Sequence, residues 1–180
     1  EDEKKRAEVH IENGDTQVDT QILDAMAEPL IHLMKNAVVH GLESPETRRL
    51  LGKNEIGKIT VRAESEETHV VLTVTDDGAG VDLAALKERA IGNGFILRET
   101  AAGLSNDELL SLMFESGLTT ARRVDLNAGR GVGMNIVKSS VESHSGTISI
   151  ITTPHAGTTF TIRVPLKLAV TKALLVSCEG

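Results

Sequence analysis

With 180 residues, 40% of them hydrophobic, the chain can bury one substantial core. Its formal net charge of −7, with no Tyr or Trp and only three Phe, excludes a general nucleic-acid binder, which needs clustered Lys and Arg or stacking aromatics. One cysteine, Cys178, excludes a disulfide within this stretch and a cysteine zinc site. No run approaches the roughly 18 apolar residues of a membrane helix, so a cytoplasmic chain without membrane contact is expected.

Residues 1–6 are a charge run. Residues 7–12 alternate as a strand with Ala7, Val9 and Ile11 on one side, and Asn13-Gly14-Asp15 signals a turn, which predicts a short hairpin or an edge strand. Asp19 or Thr20 can cap a helix over 22–41, with Gly41 as its terminator, and Pro29 inside it predicts a kink or break near Glu28. At about 100° per residue this helix gathers Leu23, Met26, Ala27, Leu30, Ile31, Met34, Ala37 and Val38 on an apolar face. His32, Asn36 and His40, spaced four apart, share a polar one.

From 42 to 57 the composition turns polar, with Ser44-Pro45-Glu46 opening a short helix that stops near Gly52. Residues 58–63 and 70–75 alternate as an antiparallel strand pair joined by an acidic connection, and Asp76-Asp77-Gly78-Ala79-Gly80 ends the second strand. Residues 82–92 read as a helix with Leu83, Leu86 and Ala90 inward, and Ser105-Asn106-Asp107-Glu108 opens another that reaches Phe114. Much of 92–130 is rich in Gly and short polar residues, which predicts a mobile lid. Gly129-Arg130-Gly131-Val132-Gly133 then opens a helix with Val132, Ile136, Val137 and Val141 on its core side. Strands over 147–153 and 158–166 turn at Pro154-His155-Ala156-Gly157. The order βαββ, lid, αββ predicts an α+β fold, a mixed and mostly antiparallel sheet with helices on one face. Residues 1–166 form one domain in this reading, and 167–180 the truncated start of another.

Three stretches carry chemistry. A carboxylate at a strand end followed by Gly-Ala-Gly, as at Asp76, lets backbone approach a flat ligand while the carboxylate accepts from an exocyclic amine; a plain Asp-Gly turn is the other reading. The glycines of 129–133 free N–H groups at a helix start to face phosphate, yet no strand precedes them, which argues against a dinucleotide fold, and no P-loop pattern exists. Asn36 is a neutral oxygen ligand suited to Mg²⁺, which takes its other ligands from phosphate and water, and His32 lies one turn away; a bare helix surface is the alternative.

With His-x-x-x-Asn-Ala-x-x-His-Gly, Asp-Asp-Gly-x-Gly and Gly-Arg-Gly-Val-Gly-Met in this order, the chain resembles the ATP-binding catalytic domain of CheA-type chemotaxis histidine kinases. These belong to the GHKL ATPases, which share the two-layer Bergerat fold with an ATP lid. The resemblance runs from about residue 22 to 170 and includes Phe114-Glu115-Ser116-Gly117 and the stretch from Gly157 to Leu166. It implies that Asn36 coordinates Mg²⁺ on the ATP phosphates, that His40 contacts phosphate and that His32 assists the attacking imidazole. It further implies that Asp76 accepts from the adenine amine with Thr158 in support, and that Gly78 and Gly80 shape the pocket. Gly129, Gly131, Val132 and Gly133 line the triphosphate, Arg89 lies near the phosphates, and Thr119 and Thr120 belong to the lid.

The γ-phosphoryl group would pass to a histidine on a separate phosphotransfer domain. A response regulator would follow downstream, and residues after 166 would begin the domain that meets a coupling protein and a chemoreceptor array. Val39 stands where the family usually has Asp, Ala85 and Ala121 where some members carry Lys, and Ser116-Gly117-Leu118 replaces Pro-Gly-Phe. Phosphoryl transfer relies on positioning and charge neutralisation, so these departures raise a second expectation, a nucleotide-binding regulatory module with weakened catalysis. A gyrase-like ATPase is a third, against which His32 in place of Glu argues.

Overall fold

The structure, a computed structural model, describes residues 5–14, 16–118 and 133–166. Strand β1 (Ala7–Glu12) is followed by helix α1 (Thr20–Asn36), a π-helical turn (Ala37–Gly41) and α2 (Pro45–Leu50). Strands β2 (Gly57–Ser65) and β3 (His69–Asp76) come next, then α3 (Leu83–Gly92), α4 (Arg98–Ala101), α5 (Asn106–Ser111) and a 3₁₀ turn (Leu112–Phe114). Helix α6 (Met134–Ser143) and strands β4 (Thr147–Thr153) and β5 (Gly157–Pro165) complete the order. The five strands lie side by side as β1-β2-β3-β5-β4. β1 runs parallel to β2 and every other pairing is antiparallel. Residues 7–12 are therefore an edge strand rather than half of a hairpin, because the parallel pairing needs the crossover that α1 and α2 supply.

Alternation along the strands builds one apolar face. Ile59 of β2, Val70, Leu72 and Val74 of β3, and Phe160, Ile162 and Val164 of β5 are buried with Ile22, Met26 and Leu33 of α1 and Met134, Val137 and Val141 of α6. Asp76 shares the parity of Val74 and Leu72, so β3 ends by aiming a carboxylate to the side covered by helices.

The face of α1 differs from the expected one. Ile22, Met26, Pro29 and Leu33 form the buried stripe, whereas Leu23 is 45% and Ile31 62% exposed. Apolar side chains cover more than half of this helix, so the seam is chosen by α6, which packs on the Pro29 side. Asp19 caps α1 by accepting from the Gln21 N–H, and the helix runs on through Pro29, whose fully buried ring offsets the hydrogen bond it deletes. Ile136, expected in the core, is 39% exposed and lines the α1–α6 groove instead.

The expected lid over 92–130 is only partly within view. Residues 92–118 are short helices held by a second apolar cluster in which Leu110 and Leu118 meet Leu86 and Ala90 of α3. Ser105 and Glu108 form the anticipated capping box, each side chain bonding the other's backbone N–H. Residues 119–132 and 167–180 lie outside the described residues, and with them Thr119, Thr120, Ala121, Gly129, Gly131, Val132 and the expected start of a following domain.

Candidate nucleotide site

β3 ends at Asp76, which pairs with Thr158 of β5. Its carboxylate is 4% exposed and accepts from the Gly78 N–H at 2.9 Å. Burial raises its pKa above the usual carboxylate value, while hydrogen bonds from the Gly78 and Thr158 backbone pull it back. Thr158, 6% exposed, is hydroxyl-bonded to Thr152 at 3.2 Å, and Thr152 also accepts from the Val81 N–H at 2.8 Å. These contacts sew the strand end to the segment that leads into α3.

Absent side chains make room for this arrangement. A Cβ on Gly78 would lie 2.1 Å from the Gly41 carbonyl oxygen, one on Gly157 1.8 Å from the Asp76 carbonyl oxygen, and one on Gly41 3.1 Å from the Asp76 carboxylate. Gly80 has φ +74° as well as a Cβ position 2.5 Å from the Thr153 carbonyl oxygen. The carboxylate therefore stands in a notch floored by backbone, the surroundings a flat heterocycle with an exocyclic amine requires.

Behind the notch lies a charge network that sequence reasoning missed. Arg48 of α2, 1% exposed, donates to Glu43 at 3.0 Å and to Asp77 at 2.7 Å. Lys53 pairs with Glu43 at 2.7 Å and donates to the carbonyls of Asp77 at 2.9 Å and Gly78 at 2.8 Å. Burial pushes the Glu43 pKa up, but the Lys53 hydrogen bond and charge and the Arg48 guanidinium bring it net below the ordinary value. The polar stretch 42–57 carries as many acidic side chains (Glu43, Glu46, Glu55) as basic ones (Arg48, Arg49, Lys53), so its composition does not single out the doubled carboxylate Asp76-Asp77 as a partner.

Asn36 closes α1, and its Nδ2 donates to Met134 Sδ at 2.9 Å in the first turn of α6. That contact joins the end of α1 to the helix start capped by Gly133, where unpaired N–H groups and the helix dipole favour an anion. Asn36 lies only about 50° from the centre of the buried stripe of α1, so it borders the core rather than opposing it. The π turn ends the regular period after Asn36, and the Leu42 N–H returns to the Ala37 carbonyl at 2.8 Å. Val39, 48% exposed, and His40 sit on that turn, with Val39 outside the core.

His32 lines the groove between α1 and α6 with Glu28, Pro29, Ile136, Val137 and Ser140. Desolvation, then Lys35 and His40, hold its pKa below the ordinary imidazole value against the opposing pull of Glu28. Desolvation and Lys5 do the same at His40. Both imidazoles therefore hold a proton less readily than a free imidazole does. Arg89 is half-buried on the last turn of α3 and has no hydrogen bond or ion pair to Asn36, Asp76 or Gly133 among the described residues.

Residues 25–168 match the family described as histidine kinase-, DNA gyrase B- and HSP90-like ATPase. The chain is 41% identical over 175 residues to the sensor histidine kinase CheAY of Helicobacter pylori, covering 97% of this chain and 22% of that protein. It is 40% identical over 170 residues to the chemotaxis protein CheA of Halobacterium salinarum, covering 94% of this chain and 25% of that protein. The chain thus spans about a quarter of the length of these relatives. Among solved structures, the catalytic domain of the histidine kinase ThkA shares the fold with a TM-score of 0.51 at 21% identity, over 89% of this chain and 78% of that one.

Proposed function

We propose that this chain, which belongs to the histidine kinase-, DNA gyrase B- and HSP90-like ATPases, binds Mg-ATP and passes its γ-phosphoryl group to a histidine on a separate phosphotransfer domain. The observation that carries this reading is the buried Asp76 carboxylate in its glycine notch, on the helix-covered side of the same sheet whose α1 and α6 bring Asn36 to a helix N-terminus. Asp76 accepts from the adenine amine, Thr158 supports it, and Gly78 and Gly80 let the base lie against backbone.

The Asn36 amide nitrogen is occupied by Met134, which leaves Oδ1 as the atom able to ligate a hard cation. Among the described residues no group of three or more His, Cys, Asp or Glu could hold a metal, so a cation at Asn36 takes its other ligands from phosphate and water. Bound there, Mg²⁺ supplies charge neutralisation to the phosphates. Gly129, Gly131, Val132 and Gly133 line the triphosphate, Arg89 and His40 serve the phosphates, and Thr119 and Thr120 belong to a lid. His32, its imidazole pKa lowered by burial, orients or deprotonates the incoming imidazole.

The similarity to CheA proteins supports a place in chemotaxis signalling in the cytoplasm, with a response regulator downstream. A coupling protein and a chemoreceptor-type array are the further partners of this reading. Incubation with labelled ATP, Mg²⁺ and a histidine phosphotransfer domain tests the reading. Label on the partner's histidine supports it, and absence of label together with absence of ATP binding overturns it. The exposed Val39, where the family resemblance implies Asp, favours one second reading, a module that binds ATP without turnover. Tight binding without label is its signature.

A further inference from the structure

In a trans peptide the carbonyl and the following N–H point in opposite directions, so fixing one aims the other. Two successive peptides behind the nucleotide notch are fixed in this way. The Asp77 carbonyl accepts from Lys53 Nζ at 2.9 Å and from Arg48 at 3.3 Å, while the Gly78 N–H on the same peptide donates to Asp76 Oδ1 at 2.9 Å. The Gly78 carbonyl accepts from Lys53 Nζ at 2.8 Å, while the Ala79 N–H donates to the Gly41 carbonyl at 2.9 Å. Asp77 itself is pinned by Arg48 through Oδ2 at 2.7 Å and by the Lys58 N–H through Oδ1 at 2.9 Å.

We propose that Lys53 is a positioning residue for recognition of the base: its ammonium holds both carbonyls away from the notch, so that the Gly78 N–H sets the Asp76 carboxylate in the orientation that takes an exocyclic amine. Without that ammonium the Asp77 carbonyl keeps only the longer Arg48 bond at 3.3 Å and the Gly78 carbonyl loses its lysine donor, so the 77–78 peptide is held less firmly. Glycine at 78 imposes little torsional resistance, and a carbonyl turned toward Asp76 repels the carboxylate it formerly steadied. Glu43 and Arg48 keep the Lys53 side chain and Asp77 in register. The inference rests on the nucleotide reading of Asp76, and its test separates the two.

The probes are ATP and purine riboside triphosphate, which lacks the 6-amino group, titrated against the 180-residue chain. The unsubstituted chain should prefer ATP by about tenfold or more, the range of a hydrogen bond to a charged group. In Lys53→Met that preference should fall to within about twofold through loss of ATP affinity alone, and Lys53→Arg should restore most of it. A structural ion pair with no part in base recognition would weaken both nucleotides alike, and that result, or an unchanged preference, overturns the proposal. No preference in the unsubstituted chain removes the adenine role of Asp76, and the proposal with it. Should Lys53→Met fail to fold, hydrogen exchange on the unsubstituted chain decides: the Gly78 amide should exchange slowly, and rapid exchange overturns the proposal.

Discussion

Asp76 is a residue whose folding and function conflict. Its pKa is raised by burial, so ionisation is less favourable in the folded chain than in the unfolded one. The sign follows: the stabilisation linked to this group is complete below the unfolded carboxylate value near ~3.9 and is lost as pH rises through the raised folded value. Near neutrality the charged carboxylate destabilises the nucleotide-free chain. Replacing Asp76 with Asn should therefore raise the thermal midpoint of the free chain, by about 2–4 °C for each ~1 kcal/mol recovered, while weakening ATP binding by about 1.5–3 kcal/mol. Calorimetry and nucleotide titration on one preparation check both, and a lowered midpoint would show that Asp76 stabilises the fold. Although the pattern alone also fits a plain Asp-Gly turn, the position of Asp76 at the end of β3 was legible because the strand alternation stops at Asp76-Asp77-Gly78. Its conflict was not, because burial is decided by Gly41 and Gly157, remote in sequence and brought to it by the sheet.

Elements whose signals are local followed the chain closely. The Ser105 capping box, the cap at Asp19 and the turn before β5 were legible because each is closed within a few residues. The seam of α1 was not, since Leu23 and Ile31 match Ile22 and Leu33 in chemistry and only packing against α6 and the sheet separates them. The segment from the π turn through α2 shows the other limit. Nothing in residues 43–53 announces that Arg48 and Lys53, both paired with Glu43, converge on Asp77, 24 residues beyond Lys53. That convergence gives an element-scale prediction. Arg48→Ala takes the guanidinium from Glu43, which keeps Lys53, and from Asp77, whose side chain is 42% exposed. The loss should therefore lie below the ~3–5 kcal/mol of a buried charge left unpaired but above that of a surface pair. Urea unfolding should show this as a lowered midpoint at unchanged slope. A loss below about 1 kcal/mol, the scale of surface pairs, would mean that water reaches the pair.

At the scale of the whole molecule, the parallel edge strand is what gathers the site. Because β1 joins β2 only through a crossover, α1 and α2 are laid over the sheet, with the end of α1 and the π turn beside the end of β3. The sequence left β1 open between a hairpin and an edge strand, and its parallel crossover, like the pairing of β3 with β5 that carries Thr158 to Asp76, is a long-range choice that spacing alone does not declare. The two halves of the site are consequently held by different contacts, Asp76 by the strands and loop, Asn36 by α1 against α6, and a nucleotide spanning both should stabilise the chain as a unit. A ligand at about 100 times its dissociation constant adds about 2.7 kcal/mol, which for a chain of this size is a rise of roughly 5–10 °C in thermal midpoint. With Asn36 replaced by Ala, the part of that rise that depends on Mg²⁺ should vanish and the part given by ATP with chelator should remain. With Asp76 replaced by Asn, the rise should shrink with and without Mg²⁺. A Mg²⁺-dependent shift that survives the loss of Asn36 would place the cation elsewhere, and equal shifts in all three chains would separate the nucleotide from this notch altogether.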